Sequence, residues 1–180
     1  MMFVDGENLT FRAQETAAKH KIPLPEGRRY RKDTFIWPFS TLPTIAVPSG
    51  KYLAAMGQRA YYYTSIKGDD VAIATVKQNL WDLGFSPQVF KKVRQEEKAK
   101  GVDISLTKDM LSHAFFGHYE VACLVAGDGD YVPLVEEVKR HGKLVVCMFF
   151  SDCGLNPTLK LVCDEFIDLN PLLANGAWTH

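Results

Sequence analysis

Residues 124–131 read LVAGDGDY. The apolar segment 120–126 stops abruptly at two aspartates, Asp128 and Asp130, spaced by one glycine. A short, nearly continuous apolar run bounded by a turn signal suits a strand buried on both faces of a parallel sheet. The aspartates then stand at the carboxyl end of that strand. They either open a turn and a helix or hold something positive, and the rest of the chain has to decide between the two.

The same rhythm recurs on both sides. Met1–Val4 reads as a short strand ending at an Asp5-Gly6 turn, and Leu9–Lys19 as a helix. Arg59–Ile66 is an aromatic second strand. Asp69–Leu83 has helical spacing, with Asp69 as its cap and Gly84 as its stop. Pro87–Val93 is a third strand. Gly101–Phe116 is a helix with Ile104, Leu106, Met110, Leu111, Ala114 and Phe115 facing inward. Beyond the opening motif, Asp130–His141 reads as a helix with Asp130 at its N-cap. Lys143–Phe150 is a strand, Asn156–Cys163 a short helix and Glu165–Leu169 a last strand. Buried strands alternating with helices predict an α/β fold: a three-layer α/β/α sandwich round a mainly parallel sheet of five or six strands.

At 180 residues the chain has room for one domain with a substantial core, and 47% hydrophobic against 23% charged residues argues against disorder. Lys and Arg balance Asp and Glu at 21 each, so net charge selects no partner, and a nucleic-acid surface would need local clustering. The start MMFVDGENLT lacks the charged-then-apolar order of a signal peptide, and no apolar stretch approaches the roughly 18–20 residues of a membrane span. Cys123, Cys147, Cys153 and Cys163 form no C-x-x-C pair, which argues against zinc and for a reducing, cytoplasmic setting. The 20–57 segment breaks the rhythm. It carries Pro23, Pro25, Pro38, Pro43 and Pro48, then Arg28, Arg29, Arg31, Lys32, Phe35 and Trp37. It is either an excursion packed on the domain or a basic, aromatic arm over a nucleic-acid groove.

Open parallel sheets bind ligands outside the carboxyl ends of their strands, near the point where strand order reverses. The first strand ends in Asp5, with Glu7 and Asn8 beyond it. The fourth is followed by Asp128 and Asp130, and the helix from 101 begins with Asp103. Gathering carboxylates at neutral pH is costly unless a cation or a proton joins them. All-oxygen donors suit Mg²⁺ or Mn²⁺, and such ions activate water and stabilise a transferring phosphoryl group. Taken singly, Asp5-Gly6 is a turn signal, and Asp103 and Asp130 are helix caps. Asp109 either supports the metal-binding carboxylates from behind or is structural, and Asp69 and Asp70 could add a fourth carboxylate, though helix capping explains them more simply. Lys91, Lys92 and Arg94, followed by Lys98 and Lys100, lead into the Asp103 helix and are candidates for phosphate contacts. No G-x-S-x-G, phosphate-loop or H-E-x-x-H motif is present, and the five histidines are scattered.

The stretches FVDGENL at 3–9, KGVDISLTKDML at 100–111 and LVAGDGDYVPLVEEVKRHGKLV at 124–145 resemble the NYN domain family, PIN-like proteins close to the bacterial LabA-like group. The resemblance covers residues 2 to about 169. It implies a PIN-like sheet of order 3-2-1-4-5 and a Mg²⁺- or Mn²⁺-dependent ribonuclease site. By matching motif, Asp5, Asn8, Asp103, Asp128 and Asp130 become the catalytic set, with Asp5, Asp103 and Asp128 on the metal. The Asn would position a carboxylate, water or phosphate. The fourth acidic position of PIN nucleases falls in TSIKGDD, where Thr64 or Ser65 takes its place. The expectation is therefore a 1–170 domain with a 171–180 tail that cleaves RNA. A non-catalytic RNA-binding module and a small-substrate phosphatase are the alternatives, and a homo-oligomer is left open.

Overall fold

The computed structural model describes residues 1–23, 59–92 and 100–171, with Lys100 by its backbone only. Six parallel strands form one sheet in the order β3-β2-β1-β4-β5-β6. They are β1 (Met2–Asp5), β2 (Ala60–Lys67), β3 (Ser86–Lys92), β4 (Val121–Val125), β5 (Leu144–Phe149) and β6 (Glu165–Asp168). The expected order holds for the first five, and β6 extends it at one edge. The chain leaves β1 outward to β2 and β3, then returns to lay β4 on the other side of β1. The order therefore reverses between β1 and β4, where Val4 pairs with Val125.

The apolar runs carry a core on each face. Met2, Val4, Tyr62, Val125 and Met148 pack with Leu9 and Ala13 of α1 (Gly6–His20) and with Val76 and Leu80 of α2 (Asp70–Asp82). Phe3, Tyr63, Leu124 and Cys147 point the other way. They meet Leu106 and Met110 of α3 (Lys100–Phe115), Val135 and Val138 of α4 (Val132–Arg140) and Leu159 of α5 (Pro157–Val162). Successive strand residues face opposite sides, so a strand sandwiched between helices must be apolar at every position. Cys147 is buried as a small hydrophobe and Cys123 is half-buried. No helix among the described residues is long and apolar enough to cross a membrane.

Three local expectations change. Helix α1 begins at Gly6 with no intervening turn, because Asp5 caps it directly: its side chain accepts from the Asn8 N–H. Helix α3 buries Val102, Leu106, Met110 and Ala114, whereas Ile104 and Phe115 are exposed. A four-residue spacing makes a narrow stripe, and Ile104 lies two residues, about 200°, round the helix from Leu106. Helix α4 starts at Val132, after a 3₁₀ turn over Gly129–Tyr131 whose cap is Asp128, not Asp130. A β-carbon on Gly6 would run into the Tyr62 ring, so this glycine serves close approach rather than a turn. Gly6→Ala should therefore destabilise the protein by about 1–3 kcal/mol through overpacking, read as a lower urea midpoint at unchanged slope.

Candidate functional site

Because β1 and β4 lie side by side, the segments leaving them start together at the carboxyl edge. Asp5 closes β1 and is 5% exposed; its Oδ1 accepts from the Asn8 N–H at 3.0 Å. Asn8 in turn accepts, through Oδ1, a hydrogen bond of 3.1 Å from the Gly127 N–H. This ties the first turn of α1 to the loop after β4. Gly127 has no room for a side chain, which would meet the Phe149 ring and the Gly154 carbonyl, and Gly129 is similarly closed by Asn156. Asp128 Oδ1 accepts from the Asp130 N–H at 3.1 Å and so caps the 3₁₀ turn. That turn swings Tyr131 inward, 2% exposed.

The Tyr131 hydroxyl stands between two carboxylates, 2.9 Å from Asp5 Oδ2 and 3.1 Å from Asp103 Oδ1. A phenol has one proton to donate, so it satisfies one of these oxygens at a time. The second contact closes without repulsion only if its carboxyl is protonated or a cation neutralises it. Burial, with carboxylates close by, pushes the phenol's pKa up, so it remains an O–H. Asp5 is pushed up to about 7, first by burial and further by the charges of Asp103 and Glu7. The Asn8 N–H and the Tyr131 hydroxyl only partly offset this. Burial and the neighbouring carboxylates thus disfavour the charged form of Asp5.

These groups line a cleft of about 650 Å³, with Asp5, Asn8, Asp103 and Asp128 on its wall and Arg12 and Phe11 on the adjoining face of α1. Of the sequence candidates, the structure thus brings together Asp5, Asn8, Asp103 and Asp128. Asp130 is exposed within the turn and is not part of the cleft wall. Asn8 is a strap on the Gly127 backbone. Asp109 accepts from the Tyr63 hydroxyl at 3.0 Å, as a structural residue would. Asp69 caps α2 through the Ala72 N–H at 2.8 Å, and Asp70 stands beside Lys91 at 3.5 Å. The end of β2 supplies no carboxylate: Thr64 and Ser65 are buried, and Ser65 Oγ donates to Glu7 at 2.8 Å.

Among the candidate RNA contacts, Lys91 is exposed, but Lys92 is not. Lys92 ends β3 on its inward side, is 6% exposed and pairs with Glu7, so it offers nothing to a phosphate at the surface. Arg28, Arg29, Arg31 and Arg94, most of the 20–57 segment and all but the first residue of the 171–180 tail lie outside the described residues, as does the Lys100 side chain. Sequence reasoning missed Tyr131, whose only signal was its place directly after G-D-G-D, and the partnership of Glu7 with Ser65 and Lys92, which no spacing reveals.

Among the described residues no three His, Cys, Asp or Glu side chains already stand in metal-binding geometry. The donor set nevertheless fits a hard cation. Asp5 and Asp103 converge on one hydroxyl, burial and neighbouring carboxylates disfavour the charged form of Asp5, and Mg²⁺ commonly takes one or two carboxylates and completes its shell with water and substrate phosphate.

The NYN domain family model matches residues 1–170. A solved structure from Vibrio parahaemolyticus, of a protein of unknown function, is 20% identical with a TM-score of 0.63, covering 93% of this chain and 90% of that one. It supports the α/β fold alone. The comparison with curated proteins gives no match.

The Asp5 environment has a measurable consequence in metal-free protein. A carboxyl held near 7 when folded but near 3.8 when unfolded keeps its full contribution to stability below the lower value and loses it as pH rises towards the higher. In EDTA, stability should fall by about 2–3 kcal/mol between pH 5 and pH 8. Asp5→Asn should remove most of that slope, as read by urea denaturation at the two pH values.

Proposed function

The chain belongs to the NYN domain family, and on that premise we propose that it is a metal-dependent endoribonuclease whose Mg²⁺ or Mn²⁺ is held by Asp5, Asp103 and Asp128. NYN domains belong to the PIN-like nuclease superfamily and are generally nucleases. The observation that carries the finer reading is the convergence of Asp5 and Asp103 on the Tyr131 hydroxyl, with Asp128 on the same cleft.

A bound divalent ion there supplies an acidified water and a counter-charge for the phosphate. The chain's own groups do the positioning. Asp5 is fixed from two sides, by the Asn8 N–H and by Tyr131, so its carboxylate keeps one orientation. Asn8 holds the Gly127 backbone and with it the loop that carries Asp128. Asp128 hydrogen-bonds the turn through one oxygen, which orients the carboxylate at the cleft wall. Arg12, on the same wall, offers a guanidinium to the RNA backbone, and Lys91 stands exposed at the end of β3. Residues 1–170 act as one domain in this reading.

The test uses Asp128→Asn, because asparagine caps as well as aspartate and keeps the turn while removing the charge. Wild-type protein should cleave single-stranded RNA with Mn²⁺ and stop on EDTA addition, and the variant should be at least roughly 100-fold slower. Equal rates for the two proteins would sink this site as the source of cleavage. RNA binding with no cleavage under any divalent ion would point instead to a non-catalytic module.

A further inference from the structure

The carboxyl edge of the sheet carries a cation of its own. The Lys92 side chain is 4% exposed and ion-paired to Oε1 of Glu7. Ser65 Oγ, on the neighbouring strand β2, donates to the other oxygen, Oε2, at 2.8 Å. Glu7 lies in the first turn of α1, two residues beyond Asp5, and lines the same cleft as Asp5, Asp103 and Asp128. A further carboxylate therefore stands beside Asp5, with each of its oxygens already hydrogen-bonded, while the remaining carboxylate of the cleft, Glu15, is exposed and paired with Arg12 at 2.7 Å.

We infer that the Lys92 ammonium fills, on the Glu7 side of the cleft, the place that a second divalent ion would need, so that the site holds one ion, on the Asp5, Asp103 and Asp128 side. The inference rests on the metal-dependent reading above. A second ion would have to draw on Glu7, the remaining carboxylate in the first turn of α1. To reach it, the ion would have to break the ion pair between Glu7 and a buried ammonium, which is unfavourable. It would also strand the Ser65 hydroxyl, which is buried in the sheet. The buried Lys92 ammonium takes its partners from the chain, whereas Mg²⁺ keeps several waters. Position and charge thus make Lys92 a determinant of how many ions the cleft takes, with no contact to the reacting phosphate required.

The experiment counts Mn²⁺ bound to the full chain without RNA, by equilibrium dialysis and by the loss of the free-ion electron paramagnetic resonance signal. Circular dichroism and thermal melting check that each protein is folded. Wild type should bind one ion per chain. Lys92→Met leaves Glu7 unpaired and should bind two, whereas Glu7→Gln combined with Lys92→Met removes the extra carboxylate as well and should return to one. If Lys92→Met does not fold, Lys92→Gln takes its place. Two ions on wild type, or one on the single lysine variant, overturn the inference and leave the metal-dependent reading standing. No ion on wild type overturns both.

Discussion

One phenolic proton stands between the carboxylates of Asp5 and Asp103, and the carboxyl edge of the sheet is organised round that contact. The three groups come from three elements: the end of β1, the first turn of α3 and the turn after β4. Each is brought there by packing whose driving force lies elsewhere, in the two apolar layers on either side of the sheet. Burial of Asp5 is unfavourable for its charged form, and the nearby Asp103 and Glu7 make it more so. A fold selected only for stability would place an uncharged side chain at this position. The electrostatic strain is consistent with a site that accepts a cation and repays the cost on binding.

The edge handles its negative charges in two different ways. Glu7 is neutralised within the chain, by the Lys92 ammonium and the Ser65 hydroxyl. Asp5 and Asp103 share the neutral Tyr131 phenol. The difference comes from neighbouring strands: β3 ends inward in a lysine, whereas β4 is followed by a turn that delivers a tyrosine. Carboxylates close together in one cleft thus acquire distinct surroundings, Glu7 in an internal ion pair and Asp5 and Asp103 on a shared phenol.

The loop after β4 shows how the backbone takes part. Gly127 and Gly129 do not adopt left-handed conformations. They are small because the Phe149 ring, the Gly154 carbonyl and the Asn156 side chain press against them. The G-D-G-D pattern therefore encodes tight packing of the loop as much as a ligand set. Its two aspartates are unequal: Asp128 caps the turn and lines the cleft, and Asp130 supplies the N–H that Asp128 accepts and turns its own side chain to solvent.

The amino-acid sequence by itself determined the alternation of strands and helices, because strands covered on both faces must be apolar throughout, as in LVVCMF of β5. The resemblance carried by the D-G-x-N, G-V-D and G-D-G-D motifs implied the order of the first five strands, and the strand ends and helix starts placed Asp5, Asp103 and Asp128 at one edge. Local spacing also reported the cap at Asp69, since a cap bonds to a residue two or three positions away. Only the tertiary structure decided which carboxylates touch. The links from Tyr131 to Asp5, from Asn8 to Gly127 and from Lys92 to Glu7 span 126, 119 and 85 residues. No local period records such a distance, and whether a lysine at a strand end meets solvent or a buried glutamate depends on which neighbour the sheet brings beside it.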